Sequence, residues 1–192
     1  MRPISLLLLA TTLTAACSAE SATTSERAAQ TEASASRGGV PGQASPASQS
    51  SAASERKDLA TLRAATARFH RYEVAKDANY TFLFMNMCME DAKFGGMGYH
   101  YVNTSLLDDK LDVTAPEALL YEPEANGRRR LVAVEYVIPK SEWTSDREPE
   151  LFGRKLELNA FDLYALHVWV WENNPSGLYA DWNPRVSCEN AR

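Results

Sequence analysis

The sequence predicts an α+β domain: an N-terminal amphipathic helix packed on a curved, mainly antiparallel sheet of about five strands, closed by one disulfide. Three observations carry this. Apolar residues recur at helical spacing in a single stretch, Leu59 to Ala78. From Tyr80 onward the period changes to two, with no helical pattern between the short apolar runs. Two cysteines, Cys88 and Cys188, bracket most of that region.

The elements follow in order. Leu59, Leu62, Ala65, Phe69 and Tyr72 line one side of the helix, and neither Gly nor Pro interrupts it. Tyr80 to Met87 reads as a first strand, and Gly98 to Val102 as a second after a tight bend at Gly95-Gly96-Met97-Gly98. Ala118 to Glu122 and Leu131 to Ile138 read as a hairpin around Asn126-Gly127. Pro139 to Gly153 reads as loop. Tyr164 to Trp171 is the strongest strand, followed by a turn over Asn173 to Gly177 and a tail without a clear period.

The first residues read as an address. Arg2 supplies a positive start, Ile4 to Leu9 a short apolar run, and Thr14, Ala15 and Ala16 the small residues before a cleavage point. The apolar run is well short of the roughly 20 residues that span a bilayer. Residues 1–16 are therefore expected to be a signal peptide. Cys17 follows directly, where a lipidated cysteine would become residue one, although Thr14 stands where such motifs usually carry Leu. Residues 17–57, rich in Ser and Ala, read as a disordered tether of roughly 35 Å r.m.s. span. Residues 58–192 remain as one globular domain. The expected place is a membrane-anchored lipoprotein facing the periplasm or cell surface, its membrane partner reached through the lipid; ordinary cleavage to a soluble secreted protein is the alternative.

Net charge is −5 with no basic stripe, which excludes nucleic acid as a partner. Arg128, Arg129 and Arg130 follow the Asn126-Gly127 turn and read as a solvated turn. With Cys17 lipidated, Cys88 and Cys188 are left to pair in an oxidising compartment.

Standard catalytic signatures are missing: the sequence has no GxSxG elbow, no phosphate loop, no HExxH and no CxxC. Three residues draw attention instead. His100 and His167 each sit inside a predicted strand. Glu135 interrupts the apolar strand 131–138, on the face expected to carry Leu131, Ala133 and Val137. His167 is expected to share its face with Leu163, Ala165, Trp169 and Trp171. A buried carboxylate is costly unless paired or bound to metal. If the three strands are neighbours, His100, Glu135 and His167 form a set suited to Zn(II) or Fe(II), or to acid–base chemistry without metal. Met85, Met87 and Met89 would share one face of an extended strand. With Met97 and His100 close by, they make a copper alternative. Tyr99, Trp143 and Trp182, with Tyr101, Trp169 and Trp171 as first choices, are candidate pocket aromatics.

The segments GGMGYHYVN (95–103), LLYEP (119–123), LVAVEYVIP (131–139) and HVWVWENNPSGLYADWNPRVSC (167–188) resemble a family of exported bacterial proteins, lipoproteins among them, with no known activity. The resemblance covers residues 59–188. It implies a secreted single domain with cysteines at these two places and supplies no catalytic residue. Three functional readings follow: a lipid-anchored domain binding a metal ion or small ligand at the His/Glu cluster, an extracytoplasmic enzyme using the same residues, or a non-catalytic interaction module of the cell envelope.

Overall fold

The structure, a computed structural model, describes residues 45–192. The signal peptide read over residues 1–16, Cys17, and the tether as far as residue 44 lie outside the described residues. Helix α1 spans Pro46–Thr66, capped by Ser45, whose side chain accepts from the Ser48 N–H. It therefore begins inside the stretch read as tether. The Ala, Glu and Gln that leave this segment without a core are also good helix formers. Tyr179 ties it down by donating its hydroxyl to Glu55. The helix does not run on to Ala78. A 3-10 turn at Ala67–His70 and an extended Arg71 separate it from α2, Tyr72–Asp77. Among the described residues no helix is long and apolar enough to cross a membrane.

The main sheet is curled and wholly antiparallel. Its strands are β1 (Phe82–Asp91), β2 (Gly95–Val102), β3 (Ala118–Pro123), β4 (Arg129–Pro139), β7 (Glu157–Leu158) and β8 (Leu163–Val168). They lie in the order β1-β2-β3-β4-β8-β7. Two further short strands, β5 (Glu150–Leu151) and β6 (Arg154–Lys155), form a separate hairpin. The fold class expected from the sequence is thus the one observed, with one more strand in the sheet.

One core holds Leu62 and Phe69 of the helical layer with Tyr99, Tyr101, Tyr121, Val134, Tyr136 and Leu166 of the sheet. Buried side chains of this size each contribute about 1.5–3 kcal/mol. Tyr121 and Tyr80 place their hydroxyls on the carbonyls of Phe69 and Pro116, so burying the phenols leaves no lost hydrogen bond. A second core gathers Met97, Val102, Ala118, Leu120, Ala133, Trp169 and Val186. The C-terminal tail covers part of it and is locked by the Cys88–Cys188 disulfide, whose Cα atoms lie 5.8 Å apart.

The Gly95–Gly98 run belongs to β2 rather than to a bend. Its glycines answer to close backbone approach. A Cβ on Gly95 would stand 2.3 Å from the Asn183 carbonyl oxygen, and one on Gly98, where φ is +89°, 2.6 Å from that of Tyr121.

Bulges reorder two faces. Tyr121 pairs with Leu131 but Leu120 with Ala133, so Val132 is extra on β4. Leu131 consequently joins the helix-side core, and the face shared by Glu135, Ala133 and Val137 does not include it. In β1, Leu83 pairs with Tyr101 and Cys88 with Tyr99, which leaves three residues extra on β1. Met85 and Asn86 there adopt left-handed φ values of 57° and 51°. The arginine cluster is also more than a solvated turn. Arg130 bridges Glu122 and Glu172, Arg129 donates to the Tyr101 hydroxyl, and Arg128 pairs with Glu124.

Candidate metal centre

Strand order brings the three suspected residues together. Glu135 on β4 is the direct cross-strand partner of His167 on β8. His100 is two strands away on β2 and offset along it, facing Leu120, which in turn faces Ala133, so it meets Glu135 on a diagonal. The strand between them presents Ala118, paired with both Glu135 and Val102. A methyl group there leaves the longer side chains of His100 and Glu135 room to meet above it.

One donor atom from each residue lies within 4.8 Å of the other two. The two Nε2 atoms are 3.4 Å apart. His167 Nε2 lies 3.5 Å from one Glu135 oxygen, and His100 Nε2 lies 3.7 Å from the other. These separations exceed the 2.7–3.0 Å, roughly, of charge-assisted hydrogen bonds. A tetrahedral ion with bonds of about 2.0–2.1 Å sets its donors about 3.3–3.4 Å apart. The cluster is therefore compatible with such a site. All three side chains are buried, with relative exposures of 4 %, 11 % and 6 % for His100, Glu135 and His167.

The far side of each ring matters too. Among the described residues, neither buried Nδ1 has an aligned hydrogen bond. His167 Nδ1 does lie 3.4 Å from the Asp181 carboxylate, at ion-pair distance though off the hydrogen-bond direction. A carboxylate behind an imidazole fixes the ring so that Nε2 faces inward. Electrostatics separate the two histidines. Burial pushes His100 down to about 4, against the opposing pull of Glu135, so it is neutral near pH 7 and free to act as a ligand. Burial also disfavours charge on His167, but Glu135 and then Asp181 outweigh it and raise its pKa. Asp181 is held below the usual carboxylate range by its contact with that ring.

The cluster forms the floor of a cavity of about 490 Å³. Its walls include Phe82, Phe84, Met89, Val102, Phe161 and Trp182. Phe84 from the β1 bulge and Phe161 from the turn before β8 meet edge to face with centroids 5.2 Å apart. Opposite ends of the sheet thus touch above the cluster.

The aromatics chosen from the sequence are mostly elsewhere. Trp169 is buried in the second core and donates its indole N–H to the Ala180 carbonyl. Beyond the end of β8, Trp171 packs toward the helix, donating to Thr66 with its ring against His70. Tyr101 packs among Tyr72, Tyr99 and Tyr121 on the helix side. None of the three lines the cavity, whereas Trp182 does. The copper set is divided as well. Met89 and Met97 line the cavity, but Met85 and Met87 stand in the bulge, about half exposed and off the cavity wall. The alternation that would give a methionine face is broken by the left-handed pair Met85-Asn86.

Sequence reasoning missed Asp181, Phe84 and Phe161. Asp181 falls in the aperiodic tail, where no pattern marks it. Phe84 sits in a bulge that inverts the expected alternation, and Phe161 in a turn, where a large apolar residue was itself a signal. No family model, curated protein or solved structure matches this chain, so its own geometry carries the functional reading.

Proposed function

We propose that this is an exported, lipid-anchored domain that binds one divalent ion, zinc or ferrous iron, through His100 Nε2, His167 Nε2 and Glu135. The observation that carries the reading is the convergence of three buried donor groups to within 4.8 Å of one another, with the two imidazole Nε2 atoms 3.4 Å apart. Two imidazoles and one carboxylate leave a coordination position open toward the cavity, the arrangement of a Lewis-acid site rather than a closed structural one. The export reading draws support from the disulfide, which belongs to oxidising compartments.

The test is elemental analysis of the mature chain, residues 17–192 carrying Cys17→Ser and exported without a His-tag. A His100→Ala/His167→Ala double variant is run alongside. Near-stoichiometric zinc or iron, lost in the folded variant, is expected. Wild-type protein that stays free of metal after reconstitution overturns the reading. For the anchor, Cys17→Ala in the full precursor is expected to move the protein out of the membrane fraction; an unchanged soluble product overturns that part.

A further inference from the structure

We infer that the cavity takes a small amphiphile, an apolar chain or ring ending in one carboxylate, with the carboxylate on the ion and the apolar body against the phenylalanines. This rests on the metal reading above. Three features argue for it.

The first is how polarity is distributed. His100, Glu135 and His167 converge at the floor, while Phe82, Phe84, Phe161 and Leu158 supply wall above them. A ligand matching this has a polar end and an apolar body.

The second is apolar surface left in water. Phe82, Leu158 and Phe161 remain 52 %, 44 % and 48 % exposed, although all three line one cavity. Scattered exposure of single apolar residues is ordinary, but several around one opening mark a surface that a ligand covers.

The third is charge. A divalent ion held by Glu135 and two imidazole ligands leaves one positive charge among side chains only 4–11 % exposed, where water screens it weakly. Asp181 partly offsets it, but its side chain is 67 % exposed and solvent screens it. One anionic donor in the open position balances the floor. A second charge farther out has no cationic partner, because the remaining charged wall residue is Glu157.

The experiment is calorimetric titration of octanoate, acetate and octanol into the mature chain with Cys17→Ser, zinc-loaded and freed of excess zinc, and into the same protein stripped by chelator. Octanoate is expected to bind the zinc form at least about 30-fold more tightly than acetate, since each buried methylene adds affinity. It is expected to bind at least about tenfold more tightly than octanol, and to lose most of its affinity on stripping. Phe161→Ala is expected to weaken octanoate about tenfold while zinc content and acetate binding stay the same. Octanoate binding no tighter than acetate, or equally well to stripped protein, overturns the inference and leaves the metal site standing. Failure to take up zinc at all is recorded before any octanoate is added, and overturns both.

Discussion

Ala118 stands directly opposite Glu135 across the β3–β4 ladder, and only its methyl group lies beside the diagonal along which Glu135 reaches toward His100. It is fully buried, so added volume has nowhere to go. Ala118→Leu is expected to push His100 and Glu135 apart. Overpacking of this kind costs about 1–3 kcal/mol, and disturbing ligand orientation lowers metal affinity about 10–100-fold. Ala118→Gly leaves that diagonal clear and is expected to retain the metal, with a stability loss of about 0.5–1 kcal/mol. Competition with a calibrated zinc chelator, read beside thermal unfolding, separates the two. Equal zinc affinity in all three proteins would remove Ala118 from the account.

Glu117 sets a dependence of stability on pH. Its carboxyl is buried beside the sheet, accepts the Val137 N–H at 2.9 Å, and is pushed up to about 8. Desolvation is the main cause, with smaller repulsion from Asp108 and Glu135. The folded state therefore keeps this proton where the unfolded chain has lost it. Its stabilising contribution is complete below about pH 4.5 and declines as pH rises, until the folded carboxyl also ionises near pH 8. His100, held down near 4, acts in the opposite sense between about pH 4 and 6.5, and the raised His167 and lowered Asp181 add their own slopes, so wild-type protein alone mixes several contributions. Glu117→Gln isolates the first. Wild type and variant are expected to be of similar stability at pH 4. By pH 9 the variant should lead by as much as about 4–5 kcal/mol, because each pH unit separating the folded and unfolded carboxyl contributes about 1.36 kcal/mol. Denaturant unfolding at both pH values measures this, and a constant difference would show that Glu117 does not titrate in that range.

The disulfide is expected to matter to the site as well as to the fold. Cys88 and Cys188 are 100 residues apart in sequence, and closing such a loop is worth about 4.7 kcal/mol in the chain-entropy model. Between them and the site runs the segment that pairs Asn183 with Gly96 and carries Asp181 to His167. Cys188→Ser is expected to lower Tm by about 10–15 °C at roughly 2–4 °C per kcal/mol, and reduction of wild type should match it. Zinc affinity should fall in both, because Asp181 loses its fixed place behind the imidazole. A Tm insensitive to reductant would contradict the prediction.

The sequence made the chemistry more legible than its surroundings. His100, Glu135 and His167 could be picked out because polar residues in apolar strands need a reason. Their convergence depended on strand order, which no local pattern encodes; it came from pairing β4 with both β3 and β8. The pocket aromatics were misplaced for a different reason. Alternation predicts faces only while the ladder is regular, and the extra residues in β1 and at Val132 shift everything beyond them. Trp171 changes sides because β8 ends at Val168. The helix reaches back to Pro46, into the stretch read as tether, because its first turns are polar and exposed, which composition alone cannot tell from a tether.

The bulge that hangs Phe84 over the cavity also protects the molecule from its neighbours. A sheet with two open ends offers unpaired backbone groups that can template another chain. Here one end is β7, only two residues long. The other is β1, where left-handed Met85 and Asn86 interrupt the run of extended backbone. Neither end presents a straight row on which a second copy could build. Straightening β1 by deleting the extra residues would remove a cavity wall and, in the same step, create an aggregation-prone edge.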